Sequence, residues 1–208
     1  PVLLDRRTPP HIVTLVLITG VAALNMNMVL PGLPSLAEYY GADYAVVSLT
    51  ISAYLALTAA LQLIIGPLSD RYGRRPVILG SYAVFLCATV GCLFAPTIES
   101  FLAFRMIQAT IASGIALSRA VVRDTTPAEE SGSRIAYVTM GMAIVPMIGP
   151  AIGGYLEQHF GWHANFWLLF AAGLVILALS WADLGETARP SGFTLAQQYR
   201  EMPELLKS

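Results

Sequence analysis

Six long apolar runs, separated by short polar connections, constrain how this chain of 208 residues can fold more than any other feature. Each run approaches the ~20 apolar residues with which a helix crosses a ~30 Å hydrocarbon core. Five of the six contain no charged residue, whereas a helix on a soluble protein carries a polar face opposite its apolar one. We therefore predict six membrane-spanning helices, called spans one to six. They lie at residues 12–30, 45–65, 77–95, 101–122, 135–154 and 164–182.

The composition excludes several classes of function. Only 12% of the residues are charged, against roughly 25% in an average soluble domain, and the net charge is −1. A chain this close to neutral lacks the basic surface with which proteins bind nucleic acid, so we expect no nucleic-acid partner. The cysteines, Cys87 and Cys92, lie in one apolar run and suit neither a disulfide scaffold nor a cysteine-rich zinc site. The expected surroundings are a lipid bilayer.

The basic residues predict the orientation of the spans. Eleven of the twelve Lys and Arg fall in alternate segments, and the connections between those segments, at 31–44, 96–100 and 155–163, have no Lys or Arg. Basic residues concentrate in cytoplasmic loops, so this pattern predicts that both ends of the chain are cytoplasmic. An odd number of spans would not keep the alternation.

The spans divide the chain into three segments. Arg6 and Arg7 before an apolar run imitate a signal peptide, but the run is too long and five more follow. Near the other end, Thr194 and Gln197 are spaced as a capping box, which predicts a helix at the membrane surface. A solvated tail is the alternative. The segments are a cytoplasmic N-terminal segment at 1–11, a six-helix bundle at 12–184 and the start of a cytoplasmic linker at 185–208.

An internal repeat relates the two halves of the bundle. At an offset of 88 residues, the stretch 66–73 lies over 154–161; both begin and end with glycine, and Leu68 matches Leu156. Two units of three spans each are inverted relative to one another, an arrangement typical of transporters. Chance similarity between glycine-rich turns is the alternative.

The connection after span two combines one acid with three arginines. It reads Gly66-Pro-Leu-Ser-Asp70-Arg71-Tyr-Gly73-Arg74-Arg75-Pro76. A carboxylate among guanidinium groups forms forked, charge-assisted hydrogen bonds. Such a cluster at a helix end suits a gate that closes in one conformation and opens in another. The alternative is a signal for orientation alone. The predicted gate residues are Gly66, Asp70, Arg71, Gly73, Arg74, Arg75 and, at the end of span four, Asp124.

This segment resembles the cytoplasmic signature of the major facilitator superfamily, between its second and third helices. Two further stretches resemble its helix motifs. The fourth-helix motif is matched by Arg105-x-x-Gln108 and Arg119-Ala-Val-Val-Arg123-Asp124, although Ala109 stands where glycine is usual. The fifth-helix motif of antiporters is matched by Gly141 and by Gly149-Pro150-Ala-Ile-Gly153-Gly154. The stretch Asn27-Met-Val-Leu-Pro31-Gly-Leu-Pro34 and Gln62 are similar to the Bcr/CflA branch of drug:proton antiporters.

The resemblance implies an all-α membrane fold, the N-terminal six-helix half of a twelve-helix transporter. It implies export of small amphiphilic molecules, drugs or metabolites, across the bacterial inner membrane by alternating access. The energy source would be the proton gradient, with no other cofactor, and the partner would be a C-terminal six-helix half. Asp70 would face that half, and Arg74 would pair with Asp124. A metabolite or siderophore exporter or importer with different coupling is the alternative, and a channel is a further one.

Polar residues inside the spans are the candidates for a central cavity. A charge within the membrane is costly, so we expect Arg105 to face a polar interior. Gln108 is three residues on, along the same helix face. Asn25 and Asn27 in span one and Tyr54 in span two complete the candidate set. The alternatives are an Arg105 that reaches out to the membrane surface and polar residues that only join helices.

Span five has the composition of a tightly packed helix. Pro146 and Pro150 lack N–H donors and bend helices. Gly149 and Gly153, four residues apart, let a neighbouring helix approach closely. With Gly141 and Gly154, these residues predict a sealing contact between helices.

Proton coupling follows only from the resemblance. Related sequences often carry Asp where this chain has Asn27, which cannot titrate. No carboxylate lies within the six predicted spans. We therefore expect the coupling acid in the second half.

The sequence does not favour an enzyme. Ser113 lies within a span, but His11, His159 and His163 all lie at or beyond span ends, so no base is placed to activate a serine. His159 and His163 are four apart, as metal ligands can be, but Gly161 interrupts a helix between them, and we expect no metal site.

Overall fold

A computed structural model describes residues 3–188, and every regular element within them is helical. The predicted linker helix at Thr194 and Gln197 lies outside these residues. The eight α-helices are α1 Ile12–Asn27, α2 Leu33–Tyr40, α3 Tyr44–Tyr72, α4 Arg74–Leu93, α5 Ile98–Ile107, α6 Ser113–Thr125, α7 Ala128–Phe160 and α8 His163–Asp183. A 3₁₀ helix, Gln108–Ala112, joins α5 to α6, and these three elements form span four.

The described residues contain five helical segments long and apolar enough to cross a membrane, with span four counted as one. Helix α1 is apolar but shorter, since its 16 residues rise about 24 Å before the turn at Met28. Helices α3 and α7, with 29 and 33 residues, extend beyond the predicted spans two and five. Both helices continue through glycines and charges that lie beyond the apolar runs, because a helix does not have to end where the hydrocarbon ends.

Two local features were not predicted. The connection 31–44 contains the short helix α2, which starts with Pro34 in its first turn and ends at Gly41 in the left-handed conformation, φ 58°. Span four changes from α to 3₁₀ geometry at Gln108 and returns at Ser113. A 3₁₀ stretch within a helix often marks a functional site.

The predicted repeat appears in the backbone. Gly73 ends α3 with φ 97° and donates its N–H to the carbonyl of Ser69 at 2.9 Å. Gly161, 88 residues later, ends α7 with φ 78° and donates to the carbonyl of Glu157 at 2.9 Å. Both conformations lie in the region that favours glycine, which explains why the two stretches share this residue.

The packing of the helices follows the same symmetry. Helix α1, the first helix of the first unit, packs most extensively on α7, the second helix of the second unit. The equivalent contact with the units exchanged is that of span four with α3. The third helix of each unit, α4 and α8, pack on one another. Exchanging the units leaves this pattern unchanged, as two inverted three-helix repeats require. The larger apolar core includes Ile18, Tyr82, Phe85 and Leu169, which are all fully buried.

Asp183, the last residue of α8, fastens the N-terminal segment to the bundle. Its carboxylate is fully buried. It accepts hydrogen bonds from the N–H of Leu4 at 2.8 Å, the N–H of His11 at 3.0 Å and the hydroxyl of Thr14 at 2.6 Å. Leu4 has φ 67°, a strained conformation for leucine. The start of the described chain is thus bent onto the end of α8, at the end of the bundle that also carries Arg74 and that we call the arginine-rich end.

Candidate functional site

Arg105 is completely buried within the bundle and bonded to neutral acceptors. Its guanidinium donates to Oδ1 and to the backbone oxygen of Asn25, at 2.7 and 2.9 Å. It also donates to Oε1 of Gln108 at 2.7 Å and to the backbone oxygen of Thr50 at 3.4 Å. The ring of Tyr54 covers the guanidinium, whose Cζ lies 4.3 Å from the ring centroid. The alternative in which Arg105 reaches the membrane surface is therefore wrong.

A second layer of hydrogen bonds supports these acceptors. Gln108 donates to the hydroxyl of Thr89 at 2.7 Å, and Thr89 donates to the backbone oxygen of Phe85 at 2.7 Å. Asn25 donates to the hydroxyl of Tyr54 at 3.0 Å. Buried hydrogen bonds strengthen one another in a medium of low polarity. The network joins α1, α3, α4 and span four around one cation.

A groove of about 210 Å³ lies beside this network and draws its walls from four spans. Tyr54 separates the groove from Arg105, because its ring contacts the guanidinium and also lines the groove. Asn27 lies in the groove wall and donates to the backbone oxygen of Ala23 at 2.8 Å. The lining residues are Ala22, Ala23, Met26, Asn27, Tyr54, Leu55, Thr58, Ala112, Ile115 and Met142.

The five candidate cavity residues thus fall into two groups. Asn27 and Tyr54 line the groove, whereas Asn25, Arg105 and Gln108 are fully buried behind it. The sequence did not single out Thr58, Met26 or Met142, because methionines and threonines in apolar helices also occur as ordinary packing residues. Among residues 3–188 the buried hydroxyl of Thr58 has no hydrogen-bond partner.

Arg74 holds three helices together at the arginine-rich end. Its guanidinium forms ion pairs with Asp70 at 2.7 Å and with Asp124 at 3.1 Å, and it donates to the hydroxyl of Ser69. The predicted pair of Arg74 and Asp124 is confirmed. Asp70 and Ser69 belong to α3, Arg74 to α4 and Asp124 to α6, so one side chain joins the ends of three spans. The side chain of Asp70 is 38% exposed and is accessible to a further partner.

Glu186 is a member of this cluster that the sequence did not reveal. Its carboxylate accepts the backbone N–H of Arg74 at 2.8 Å and of Arg75 at 3.3 Å, at the N-terminus of α4. A carboxylate is favourable there because helix N-termini carry unpaired N–H groups and partial positive charge. Arg75 also donates to the backbone oxygen of Trp181 at 3.3 Å. Arg71 stacks on the ring of Tyr72 at 5.3 Å.

Two glycines of the gate segment have different surroundings. Gly73 makes the turn between α3 and α4, and a side chain there would meet Glu186. Gly66 faces open space, with no atom of the described chain within 4 Å of a Cβ placed on it.

The glycines of α7 allow α1 to approach closely, as predicted. A Cβ at Gly141 would lie 2.8 Å from a backbone oxygen of α1, and one at Gly153 would lie 2.9 Å from the backbone oxygen of Met28. A Cβ at Gly149 would lie 3.2 Å from the Cβ of Asn27. Real Cβ atoms do not come so near to backbone oxygens, so larger residues at Gly141 or Gly153 would push the helices apart.

The other residues of the fifth-helix motif lie in the same helix. Pro146 and Pro150 fall within the continuous α7. A Cβ placed on Gly154 would lie 3.9 Å from the Cβ of Pro31, which is an ordinary van der Waals distance. A pivot at the prolines stays a prediction.

Comparisons with known proteins agree with this architecture. The family model described as Major Facilitator Superfamily matches residues 15–202. A chloramphenicol resistance protein of Pseudomonas aeruginosa is 36% identical over 170 residues, which are 80% of this chain and 40% of that protein. The multidrug resistance protein MdtL of Escherichia coli is 33% identical over 183 residues, 87% of this chain and 46% of that protein. The chain therefore spans less than half the length of these curated relatives.

Solved structures show the same fold. The human organic anion transporter MFSD10 superimposes with a TM-score of 0.75 at 20% identity, covering 89% of this chain and 51% of that chain. A bacterial homolog of the human lysosomal transporter Spinster, in an inward-facing conformation, gives 0.76 at 18% identity, covering 95% and 48%. In each case about half of the solved chain corresponds to these six spans.

Proposed function

The chain belongs to the Major Facilitator Superfamily, and on this premise we propose that it forms the N-terminal half of an exporter of small amphiphilic molecules. Export runs across the bacterial inner membrane by alternating access, with proton antiport as the energy source. The resistance proteins among its relatives support a drug as substrate. The chain is a transporter component with no enzymatic step.

The observation that carries the proposal is the groove lined by α1, α3, α6 and α7. It combines apolar walls with the amide of Asn27 and the ring of Tyr54. Ligand sites commonly pair apolar walls with a few polar groups. An amphiphilic molecule can place its apolar part on these walls and hydrogen-bond at the polar groups.

The exposure of two helices supports a second half as partner. Only 17% of the most apolar stretch of α3 is buried, and 18% of that of α7, against 50% for span four. Leu63 and Met147 are 69% and 80% exposed. We assign these faces to a C-terminal six-helix half and to lipid, and we assign Asp70, half-exposed at the gate, to contact with that half.

In alternating access, the ion pairs of Arg74 and the contact between α1 and α7 have different roles. The ion pairs of Arg74 hold the arginine-rich ends of three spans together in one conformation. The close contact of α1 with α7 keeps the six helices moving as one body. The coupling acid belongs to the second half, because the groove of this half contains no titratable carboxylate among its lining residues.

The test is transport by the complete natural protein that carries this chain. A proton gradient, acidic inside, is established across inside-out membrane vesicles, and uptake of radiolabelled chloramphenicol is measured over a range of concentrations. We expect uptake that saturates, that is accelerated by chloramphenicol on the opposite side, and that stops when an ionophore collapses the gradient. Flux that neither saturates nor responds to substrate on the other side would refute a carrier. Saturable flux without dependence on the gradient would refute proton antiport alone.

A further inference from the structure

Arg119 differs from the other arginines inside the bundle in how little it is bonded. Among residues 3–188 it forms no ion pair, and its guanidinium meets only the sulfur of Met142, 3.6 Å from Nη2. A thioether is a weak acceptor. By contrast, Arg105 is surrounded by oxygen acceptors, and Arg74 has two carboxylates. Arg119 therefore keeps most of its donors for a partner that the described chain does not supply.

The position of Arg119 places it at one end of the groove. Ile115 lines the groove four residues earlier on α6, and residues four apart lie on the same helix face. Met142, which contacts the guanidinium, lines the groove from α7. Arg119 is half-buried and lies six residues before the last residue of α6, Thr125, about 9 Å along the axis. It thus places one cation beside a groove whose lining residues are all uncharged.

Resting on the proposed transport function, we propose that Arg119 binds a carboxylate of the transported molecule. The substrates then include amphiphilic monoanions, which lie with the apolar part between Ile115 and Met142 and the carboxylate on the guanidinium. A guanidinium matches a carboxylate with two parallel hydrogen bonds. Unpaired charges within membrane proteins are costly and mark the paths of ions and substrates.

The test compares two ligands of nearly the same size and shape, a carboxylate anion and its neutral amide. The complete natural protein is purified in detergent, and binding of 1-naphthaleneacetate and of 1-naphthaleneacetamide is measured by calorimetry. We expect the wild type to bind the carboxylate at least about tenfold more tightly than the amide, since hydrogen bonds to charged groups exceed neutral ones in strength. Arg119→Gln is expected to remove this preference and to change binding of the amide by less than about twofold.

Two further variants make the result specific. Arg123→Gln removes an exposed arginine one turn later on the same helix, and we expect it to keep the wild-type preference. Arg119→Lys keeps the charge but not the forked geometry, and we expect it to keep part of the preference. If Arg119→Gln does not fold, the lysine variant decides, because an unchanged preference there would contradict forked recognition.

The remaining outcomes overturn the inference. Equal binding of both ligands by the wild type would show that the groove does not select anions. Equal loss of both ligands in Arg119→Gln would place the partner of Arg119 within the protein, such as a carboxylate of the second half. Because binding is measured without transport, these outcomes leave the export function standing. Absence of flux in the vesicle experiment, conversely, leaves the binding result standing.

Discussion

Replacing Arg105 with alanine removes the cation at the centre of the buried network. Four hydrogen bonds are lost, to two oxygens of Asn25 and one each of Gln108 and Thr50. Hydrogen bonds between membrane helices average about 0.6 kcal/mol, so four of them give about 2.4 kcal/mol. Bonds to charged groups in soluble proteins reach about 1.5 to 3 kcal/mol each, but relief from burying a charge offsets part of that larger figure. We expect a net loss of about 2 to 4 kcal/mol.

The assay is reversible unfolding of the purified protein in mixed micelles of detergent and sodium dodecyl sulfate, followed by circular dichroism. A double-mutant cycle pairs Arg105→Ala with Asn25→Ala, and we expect a coupling energy of about 1 to 2 kcal/mol. Arg123→Ala serves as the matched control, since it removes an exposed arginine from the same span. Transport is measured in parallel, and we expect Arg105→Ala to abolish it while the chain still inserts in the membrane.

Two results would refute this reasoning separately. An unchanged free energy of unfolding together with a coupling energy near zero would show that the hydrogen bonds around Arg105 do not stabilise the bundle. Wild-type efflux by Arg105→Ala would show that transport does not need this cation, whatever its effect on stability.

Three further predictions concern the helix contacts and the gate. Asp70→Asn weakens the ion pair with Arg74, and stopped-flow measurements should show slower conformational exchange with nearly unchanged substrate affinity; an unchanged turnover would contradict a gating role. Gly153→Val forces a side chain against the backbone of Met28, just after α1, and should cost about 1 to 3 kcal/mol in unfolding experiments. Gly154→Ala should stay within about 0.5 kcal/mol, and equal effects would contradict the close contact. Asp183→Ala removes three hydrogen bonds worth about 1 kcal/mol each. Trypsin should therefore cut the N-terminal segment about a hundredfold faster. An unchanged rate would show that other contacts hold the segment.

Much of the fold could be predicted from the sequence because its determinants are local. The apolar runs gave six spans, and the shared glycines at Gly73 and Gly161 indicated the inverted repeat. The ends of α3 and α7 could not be predicted, since the charges that close an apolar run continue as helix outside the hydrocarbon. The 3₁₀ helix that begins at Gln108 contains no glycine or proline from which it could be predicted, and its geometry depends on packing between spans.

The candidate site could be predicted only in part, because residue type does not tell which way a helix face points. Asn25 and Gln108 were predicted to line a cavity, but in the structure they bond to Arg105 and lie behind the groove. Thr50 supplies a backbone oxygen, which every residue has. Glu186 reaches Arg74 across more than a hundred residues, and no local pattern records such a contact.

The attachment of the N-terminal segment to Asp183 has a consequence for the order in which the protein is made. Leu4 and Asp183 are 179 residues apart in the chain. This segment leaves the ribosome before the six helices, and it therefore waits without its final contacts until the last of them has been synthesised and inserted. The hydrogen bond between Leu4 and Asp183 forms only when all six helices are in place. The six-helix bundle can therefore complete its own contacts before any later part of the chain is synthesised.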